Sequence, residues 1–226
     1  MNVLIIIPSY LPDNKQVREA RFKTLCELIG KCNEIFNLPI YILIQNYSES
    51  EIATITNLPN VEVSFNYPRL GITGARKQLQ TDCIQSPYEY FIMLDDDSVL
   101  EGCSDSGRQY LAEINRHPSG YARFKGRVLK LFTISKDIFK EVSYGDLEPE
   151  KHDGFEDRVF IADCKNKFPG LQFAFSYSIE LADTSLGARD SNSTWWTSDV
   201  SIGDMMSKTE DTIRSMTNDD TTKQSL

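Results

Sequence analysis

The stretch Glu89–Gly102, EYFIMLDDDSVLEG, decides the fold. Its apolar part, Tyr90–Leu94, runs directly into Asp95, Asp96 and Asp97. A short apolar run of this kind is typical of a strand covered on both faces of a sheet. Three adjacent carboxylates repel one another and need a compensating cation if they share a dry site. The stretch therefore predicts a buried strand that ends in a charged site, with a solvated turn as the alternative because Asp also favours turns.

The segments before this strand alternate between two periodicities. Strands are predicted at Val3–Ile7, Ile40–Ile44 and Val61–Phe65, and helices at Lys15–Ile29 and Gly71–Ile84. This order is typical of an α/β domain with a Rossmann-type mixed, mainly parallel sheet flanked by helices. Ligands collect at the carboxyl ends of the strands in such a sheet, which favours a site over a turn for the three aspartates.

Beyond Gly102 the pattern is less regular. It predicts a helix at Ser104–Arg116, strand-forming residues at Tyr121–Phe132, a short helix within ISKDIFKEV, a helix at Phe155–Asp163 and a last strand at Leu171–Ile179. From about residue 203 the chain is polar and offers almost nothing to bury. We therefore expect one domain over residues 1–203 and a flexible tail over residues 204–226.

Composition limits the class of protein. The 226 residues are 40% hydrophobic and 25% charged, which suits one globular domain. The net charge of −9 disfavours general affinity for nucleic acid or an anionic membrane. The sequence has no run that could span a bilayer and no secretory signal pattern at MNVLIIIPSY. Five cysteines without a C-x-x-C pair indicate free thiols in a reducing compartment, so we expect a cytoplasmic protein.

Four segments in a fixed order carry a resemblance to a known family. They are LIIIPSY, GITGARKQL, YFIMLDDDSVL and ISKDIFKEVSYGDLEPEKHDGFEDRVFI. Over roughly Val3 to Asp163 this set resembles the family 2 glycosyltransferases of the GT-A fold. The positions that match the family's motifs are Pro8 and Tyr10, Gly71, Ala75 and Arg76, Asp95 and Asp97, and Glu156 and Asp157.

The resemblance implies a metal-dependent transfer of a sugar, with inversion, from a nucleoside-diphosphate sugar to an acceptor hydroxyl. The cation would be Mn²⁺ or Mg²⁺, which bind one or two carboxylates together with phosphate oxygens. By analogy Asp97 holds the metal, Asp95 faces the metal's water shell or the ribose, and Asp96 orients the pair. Arg76 either lies near the diphosphate or forms a structural salt bridge with the carboxylates.

The donor nucleotide is expected to contact Pro8, Tyr10 and Gly71 as well as the end of the second strand. There the family usually carries an acidic residue, and this chain has Gln45 and Asn46. Amides can also pair with a base edge, since they both donate and accept hydrogen bonds. UDP is the leading expectation for the nucleotide.

Inversion by direct displacement requires a general base that takes the proton of the attacking hydroxyl. The resemblance assigns this role to Asp157. Glu156 either binds the acceptor or closes a capping box with Asp153, whose spacing to Glu156 fits that motif. His152, four residues earlier, is a site contact or an ordinary loop histidine.

Two further features allow a functional and a structural interpretation. Trp195 and Trp196 could stack on a sugar, but packing is the favoured role. Arg123, Lys125 and Arg127 occupy one face of a strand. They form the solvated face of an edge strand, which is the favoured interpretation, or bind an acidic acceptor or a nucleic acid with a modified base.

Other functions fit the sequence less well than a transferase does. A nucleotidyltransferase would need a glycine-rich segment after the first strand, and LIIIPSYLPDNK has none. A phosphate-accepting signalling domain would need carboxylates at that strand end, and a glycosidase would act without a nucleotide. A non-catalytic nucleotide-sugar-binding module is disfavoured because Asp97 and Asp157 are both present. The acceptor is a glycan, a small molecule or a modified nucleic acid, and a partner chain, a homodimer contact or the C-terminal segment would complete its site.

Overall fold

The structure is a computed structural model that describes residues 2–116, 122–124, 131–144, 156–169 and 180–183. For residues 122–124, 156–158 and 180–183 it describes the backbone alone. The elements in chain order are β1 (Val3–Tyr10), α1 (Lys15–Ile35), β2 (Ile40–Gln45), α2 (Glu49–Thr56), β3 (Val61–Val63), α3 (Gly71–Gln85), β4 (Tyr90–Leu94), β5 (Ser98–Glu101), α4 (Ser104–Ile114), β6 (Ala122–Phe124), β7 (Leu131–Ser135), α5 (Lys136–Phe139), α6 (Glu156–Lys167) and β8 (Glu180–Asp183).

A six-stranded sheet forms the centre of the molecule, in the order β3-β2-β1-β4-β7-β6. Strands β3, β2, β1 and β4 are parallel, whereas β7 is antiparallel to β4 and β6 is antiparallel to β7. Strands β5 and β8 form a separate antiparallel pair. The predicted mixed, mainly parallel α/β sheet flanked by helices is confirmed.

Both faces of the sheet are covered because the central strands are apolar at successive positions. On one face Ile5, Ile42 and Ile92 belong to a buried cluster with residues of α1, α2 and α4. On the other face Ile6 and Met93 belong to a cluster with residues of α3, α5 and α6. Side chains alternate between the two faces of a strand. Consecutive carboxylates after β4 are therefore expected to point to opposite faces of the sheet, each covered by different helices.

The predicted elements before Gly102 match the structure closely, and β4 begins and ends where it was predicted. Helix α1 continues to Ile35, past the predicted end, and β3 ends at Val63 instead of Phe65. Helix α2 was not predicted. Its sequence signal is a capping box, in which Ser48 accepts from the backbone N–H of Glu51 and the Glu51 side chain accepts from that of Ser48.

The second half departs further from the prediction. The segment 121–132 contributes two strands, β6 and β7, and β7 extends to Ser135, into the stretch predicted as a short helix. Helix α6 covers the predicted helix and continues to Lys167. Strands β5 and β8 were not predicted. The predicted strand Leu171–Ile179 and the tail 204–226 lie outside the described residues.

Across the described part of the chain, no helix combines the length and the apolar character needed to cross a membrane. All five cysteines are free, as predicted. Burial raises the pKa of the Cys32 and Cys164 thiols to about 12, so both side chains act as inert core residues.

Candidate functional site

The candidate site lies where β1, β2 and β4 end side by side at one edge of the sheet. Tyr10 pairs with Gln45 at the ends of β1 and β2, and β4 lies on the other side of β1. Asp95–Asp97 follow β4 directly. The topology thus brings the predicted Tyr10, Gln45, Asn46 and aspartate positions to one edge, which is where parallel sheets bind ligands.

Asp95 is held from α3. Nη2 of Arg76 donates to Oδ1 of Asp95 over 2.8 Å, and the Arg76 side chain is 4% exposed while that of Asp95 is 19% exposed. A guanidinium held this close supplies a charge-assisted hydrogen bond and compensates one of the three carboxylates. Of the two roles expected for Arg76, the salt bridge is the one present in this structure.

Asp96 is buried and points toward the opposite layer. Its Oδ2 accepts from the Ser9 hydroxyl at 2.6 Å and from the Tyr10 backbone N–H at 3.3 Å. The Ser9 hydroxyl is also 2.6 Å from the Tyr47 hydroxyl, which donates to it because the Ser9 proton goes to Asp96. Nη2 of Arg21 on α1 is 3.9 Å from Oδ1 of Asp96. Burial, followed by the negative charge of Asp96, raises the pKa of Tyr47.

Asp97 is half-buried in the turn between β4 and β5. Among the described residues, no three His, Cys, Asp or Glu side chains are grouped to hold a metal ion. A cation here would therefore depend on ligands that the described side chains do not supply, such as phosphate oxygens and water. This donor set is typical of Mg²⁺ sites in proteins.

Gln45 is a structural link and is 3% exposed. Its Oε1 accepts from the Leu70 backbone N–H at 2.7 Å, and its Nε2 donates to the Ser9 carbonyl at 3.4 Å. One side chain thus ties β1 and β2 to the residue that precedes α3. Both polar atoms of this amide have protein partners.

Asn46 is half-buried and has a φ of 61°, a left-handed conformation that Asn adopts more readily than most residues. Its Nδ2 donates to the Leu11 carbonyl at 2.8 Å and to Oδ1 of Asp13 at 2.9 Å. Both partners are acceptors, so the amide nitrogen must face them and the orientation of the side chain is fixed. Oδ1 accepts no hydrogen bond from a described residue, and an amide oxygen can only accept.

Arg18 holds the same edge from α1. It donates to the Asn46 carbonyl at 2.7 Å and to both carboxylate oxygens of Glu51, at 2.8 Å from Nε and 2.5 Å from Nη2. The hydrogen bonds from Arg18 lower the pKa of Glu51 to about 2. The turn after β2 is therefore fixed by an ion pair between α1 and α2.

The remaining predicted donor positions have distinct environments. Pro8 is buried within β1, and Tyr10 is half-buried with the Arg69 guanidinium 5.4 Å from its ring centroid. Gly71 begins α3 with a φ of 69°, a conformation that strains most other residues, which explains a glycine at this position. Arg69 is exposed, so the Tyr10–Arg69 pair presents a ring and a cation at the surface of the edge.

Glu156 and Asp157 are the first two residues of α6. The helix packs on the sheet through Val159, Phe160 and Cys164, which are fully buried. The Phe160 ring stacks on Tyr144 with centroids 4.4 Å apart. The predicted base therefore lies at the beginning of a helix whose following turns are fixed in the core.

Several predicted positions lie outside the described residues. They are His152, Asp153, Lys125, Arg127, Trp195 and Trp196, and for Arg123 in β6 only the backbone is described. Conversely, Ser9, Arg21, Tyr47 and Arg69 contact the site and were not predicted. The signal for Arg21 was present in the sequence, since a long cation occupies a position of α1 that faces the sheet.

Comparisons with known proteins bear on the fold. No protein-family model matches the sequence, and neither does any curated protein. Among solved structures, residues 1–349 of S. aureus TarS in complex with UDP match with a TM-score of 0.53 and 13% identity, over 73% of this chain and 55% of that chain. The mannosyltransferase PcManGT from Pyrobaculum calidifontis, in complex with GDP-Man and Mn²⁺, matches with a TM-score of 0.50 and 13% identity, over 77% and 54%.

A candidate glucose-1-phosphate thymidylyltransferase from Bacillus anthracis matches with a TM-score of 0.50 and 12% identity, over 91% of this chain and 99% of that chain. This chain spans about half the length of the TarS segment and of PcManGT. At such identities the likeness defines the fold. The chain shares the α/β fold of these three solved structures.

Proposed function

We propose that this protein is a metal-dependent inverting glycosyltransferase that uses a nucleoside-diphosphate sugar. The observation that carries the proposal is the meeting of Asp95–Asp97 with the ends of β1 and β2 at one edge of the sheet. A nucleotide can lie across strand ends in this way with its diphosphate next to the carboxylates. The order of the motifs along the chain supports the same assignment.

Asp97 would hold a Mn²⁺ or Mg²⁺ ion, with Asp95 facing its water shell or the ribose. The residues fit such an ion. Arg76 compensates the charge of Asp95 and Arg21 that of Asp96, so the net negative charge of the three aspartates is reduced. When bound, the cation would neutralise charge on the leaving diphosphate as a Lewis acid.

Asp157 would act as the general base. It takes the proton of the acceptor hydroxyl while the hydroxyl oxygen forms a bond to the anomeric carbon. The bond from that carbon to the β-phosphate oxygen breaks at the same time, and the nucleoside diphosphate leaves with the bonding electrons. Glu156, the neighbouring first residue of α6, would bind the acceptor or cap the helix.

The nucleobase would be read at Asn46, since both polar atoms of the buried Gln45 amide already have protein partners. The fixed amide of Asn46 offers an acceptor oxygen. Placed against ring position 3 of a pyrimidine, this oxygen pairs with the N–H of uracil, whereas in cytosine it meets a ring nitrogen that is itself an acceptor. UDP therefore remains the favoured nucleotide, and Tyr10 and Arg69 flank the same edge.

The match to a candidate thymidylyltransferase makes nucleotidyl transfer the second function to test. The segment that follows β1, Leu11–Asn14, contains no glycine, and its Leu11 carbonyl accepts from Asn46. It thus lacks the glycine-rich character that a triphosphate-binding loop would need. This observation supports transfer from a diphosphate sugar.

Isothermal titration with UDP, GDP, dTDP, CDP and ADP, each with and without Mn²⁺, tests the proposal. We expect one diphosphate to bind more tightly with Mn²⁺, and Asp97→Ala to lose that increment. Asp157→Asn should retain nucleotide binding but lose about 100-fold or more in sugar transfer, as expected for a general base. Absence of binding to every nucleotide in both conditions would overturn the donor site, and release of pyrophosphate from a nucleoside triphosphate and a sugar phosphate would favour the second function.

A further inference from the structure

Both backbone polar groups of Tyr10 are held by one buried ion pair. The Tyr10 N–H donates to Oδ2 of Asp96 at 3.3 Å, and the Tyr10 carbonyl accepts from Nη1 of Arg21 at 3.2 Å. Arg21 is 7% exposed and Asp96 is 9% exposed. The pair comes from two different elements, α1 and the turn after β4, and it closes around the last residue of β1.

The carboxylate of Asp96 is already compensated by the protein. Oδ2 has two donors, the Ser9 hydroxyl and the Tyr10 N–H, and Oδ1 faces the Arg21 guanidinium at 3.9 Å. The Tyr47 hydroxyl completes the chain behind Ser9. Both oxygens of this carboxylate therefore face a donor or a cation that the protein itself supplies. A metal ligand would instead need lone pairs that are open to the cation.

We propose that Arg21 and Asp96 are a positioning pair that fixes Tyr10 against the donor nucleotide, and that Asp96 does not bind the cation. The inference rests on the proposed function, because it assigns Tyr10 to the donor site. It gives Asp96 and Asp97 separate roles: Asp96 holds β1, whereas Asp97 takes the cation. The ring of Tyr10, with Arg69 beside it, is the group that this pair places.

Nucleotide affinity measured with and without Mn²⁺ separates a positioning role from a ligand role. For UDP, or whichever diphosphate of the panel binds the unmodified protein, we expect Asp96→Asn and Arg21→Met to weaken binding about tenfold in both conditions. The ratio of the two dissociation constants should stay as in the unmodified protein. In Asp97→Asn that ratio should fall toward one. Arg21→Lys, which keeps the charge, should recover part of the affinity.

Loss of the Mn²⁺ ratio in Asp96→Asn would overturn the inference, because it would make Asp96 a cation ligand. Unchanged affinity in Asp96→Asn and Arg21→Met would overturn it as well. Lys23→Met on the exposed side of α1 is the matched control and should leave both constants unchanged. If Asp96→Asn does not unfold cooperatively, Ser9→Ala, which removes one donor to the same carboxylate, takes its place. Failure of the unmodified protein to bind any nucleotide would instead reject the proposed function.

Discussion

Arg76 on α3 and Asp95 after β4 form an ion pair 2.8 Å long whose guanidinium is almost completely buried. The charged group that begins the acidic stretch is thus compensated by a residue of the same chain. A buried charge that loses its partner is costly, since neither water nor another group replaces the interaction. The pair therefore contributes to the stability of the strand end as well as to its charge.

We expect Arg76→Met to lower the free energy of unfolding by about 2–4 kcal/mol, because it leaves the Asp95 carboxylate without its guanidinium. Adding Asp95→Asn should recover part of this loss, since the remaining group is then neutral. Urea unfolding followed by circular dichroism measures both values. Arg108→Met, at an exposed ion pair with Asp105, is the control and should change stability by less than about 0.5 kcal/mol. An equal loss in both variants would show that the Arg76–Asp95 pair has no special weight.

Two glycines in helices should respond in opposite directions to alanine. A Cβ at Gly107 in α4 would lie 2.8 Å from the carbonyl carbon of Ile35 and closer still to its oxygen, whereas a Cβ at Gly30 in α1 would have no atom within 4 Å. Gly107→Ala should therefore destabilise the protein by at least about 2 kcal/mol. Gly30→Ala should stabilise it by about 0.5–1 kcal/mol, because alanine favours the helix. Thermal unfolding distinguishes them, and a stable Gly107→Ala variant would contradict the close approach of α1 and α4.

The Arg18–Glu51 pair predicts a specific dependence of stability on pH. Hydrogen bonds from Arg18 lower the pKa of Glu51 from 4.5 to about 2. A carboxylate with a lowered pKa stabilises the folded state above its unfolded pKa, and this contribution is lost as the pH falls from about 4.5 toward 2. Because solvent screens this partly exposed pair, the difference in unfolding free energy at pH 7 between the unmodified protein and Glu51→Gln should be about 1–2 kcal/mol, and it should shrink below pH 4.5.

Equilibrium unfolding of both proteins between pH 2 and 7 measures that difference. Glu49→Gln is the control, because Glu49 also lies in the first turn of α2 but is exposed. A constant difference across the pH range would show that the ion pair does not hold the turn after β2.

The fixed amide of Asn46 predicts discrimination between UDP and CDP, which have nearly the same size and differ at the base edge. We expect UDP to bind more tightly, and Asn46→Gly to reduce its preference over CDP by about fivefold, the typical effect of one hydrogen bond. Glycine tolerates the φ of 61° at this position, so the substitution removes the side chain without strain in the backbone.

Competitive titration of the two nucleotides measures the preference. Asn60→Gly is the matched control. Asn60 has a φ of 63° and precedes β3, so it lies at the opposite edge of the sheet from Asn46. An unchanged preference in Asn46→Gly would place base recognition elsewhere, while UDP binding itself would still support the donor site.

The sequence was sufficient for the fold because its central strands are continuous apolar runs separated by helical patterns. Strand β4 is the clearest case, with polar residues immediately before and after five buried ones. Helix α2 was not predicted because it buries few residues and depends on its capping box. Strands β5 and β8 were not predicted because a strand of four residues has almost no hydrophobic periodicity. Short elements of this kind are determined by long-range pairing, which local patterns do not report.

The candidate site was only partly readable from the sequence, for a different physical reason. Motif order predicted that Tyr10 and the aspartates would lie together, and the carboxyl edge of the sheet explains why. The hydrogen bond from Ser9 to Asp96 could not be predicted, because the two residues are 87 positions apart and meet only in the folded chain. Likewise, the sequence does not say whether an amide at the end of β2 binds a ligand or links protein groups. In the structure both polar atoms of the Gln45 amide have protein partners, whereas Asn46 uses only its nitrogen for such bonds.

The turns at the strand ends are linked by the side chains of Gln45, Asn46 and Arg18, and these links affect the rate at which a ligand associates. Because protein atoms already order these turns, binding of the proposed donor nucleotide would require no slow loop rearrangement and would cost the protein little conformational entropy. Its association at this edge would then be governed by diffusion and by the local charge. Differences among competing nucleotides would appear mainly in how long each one stays bound.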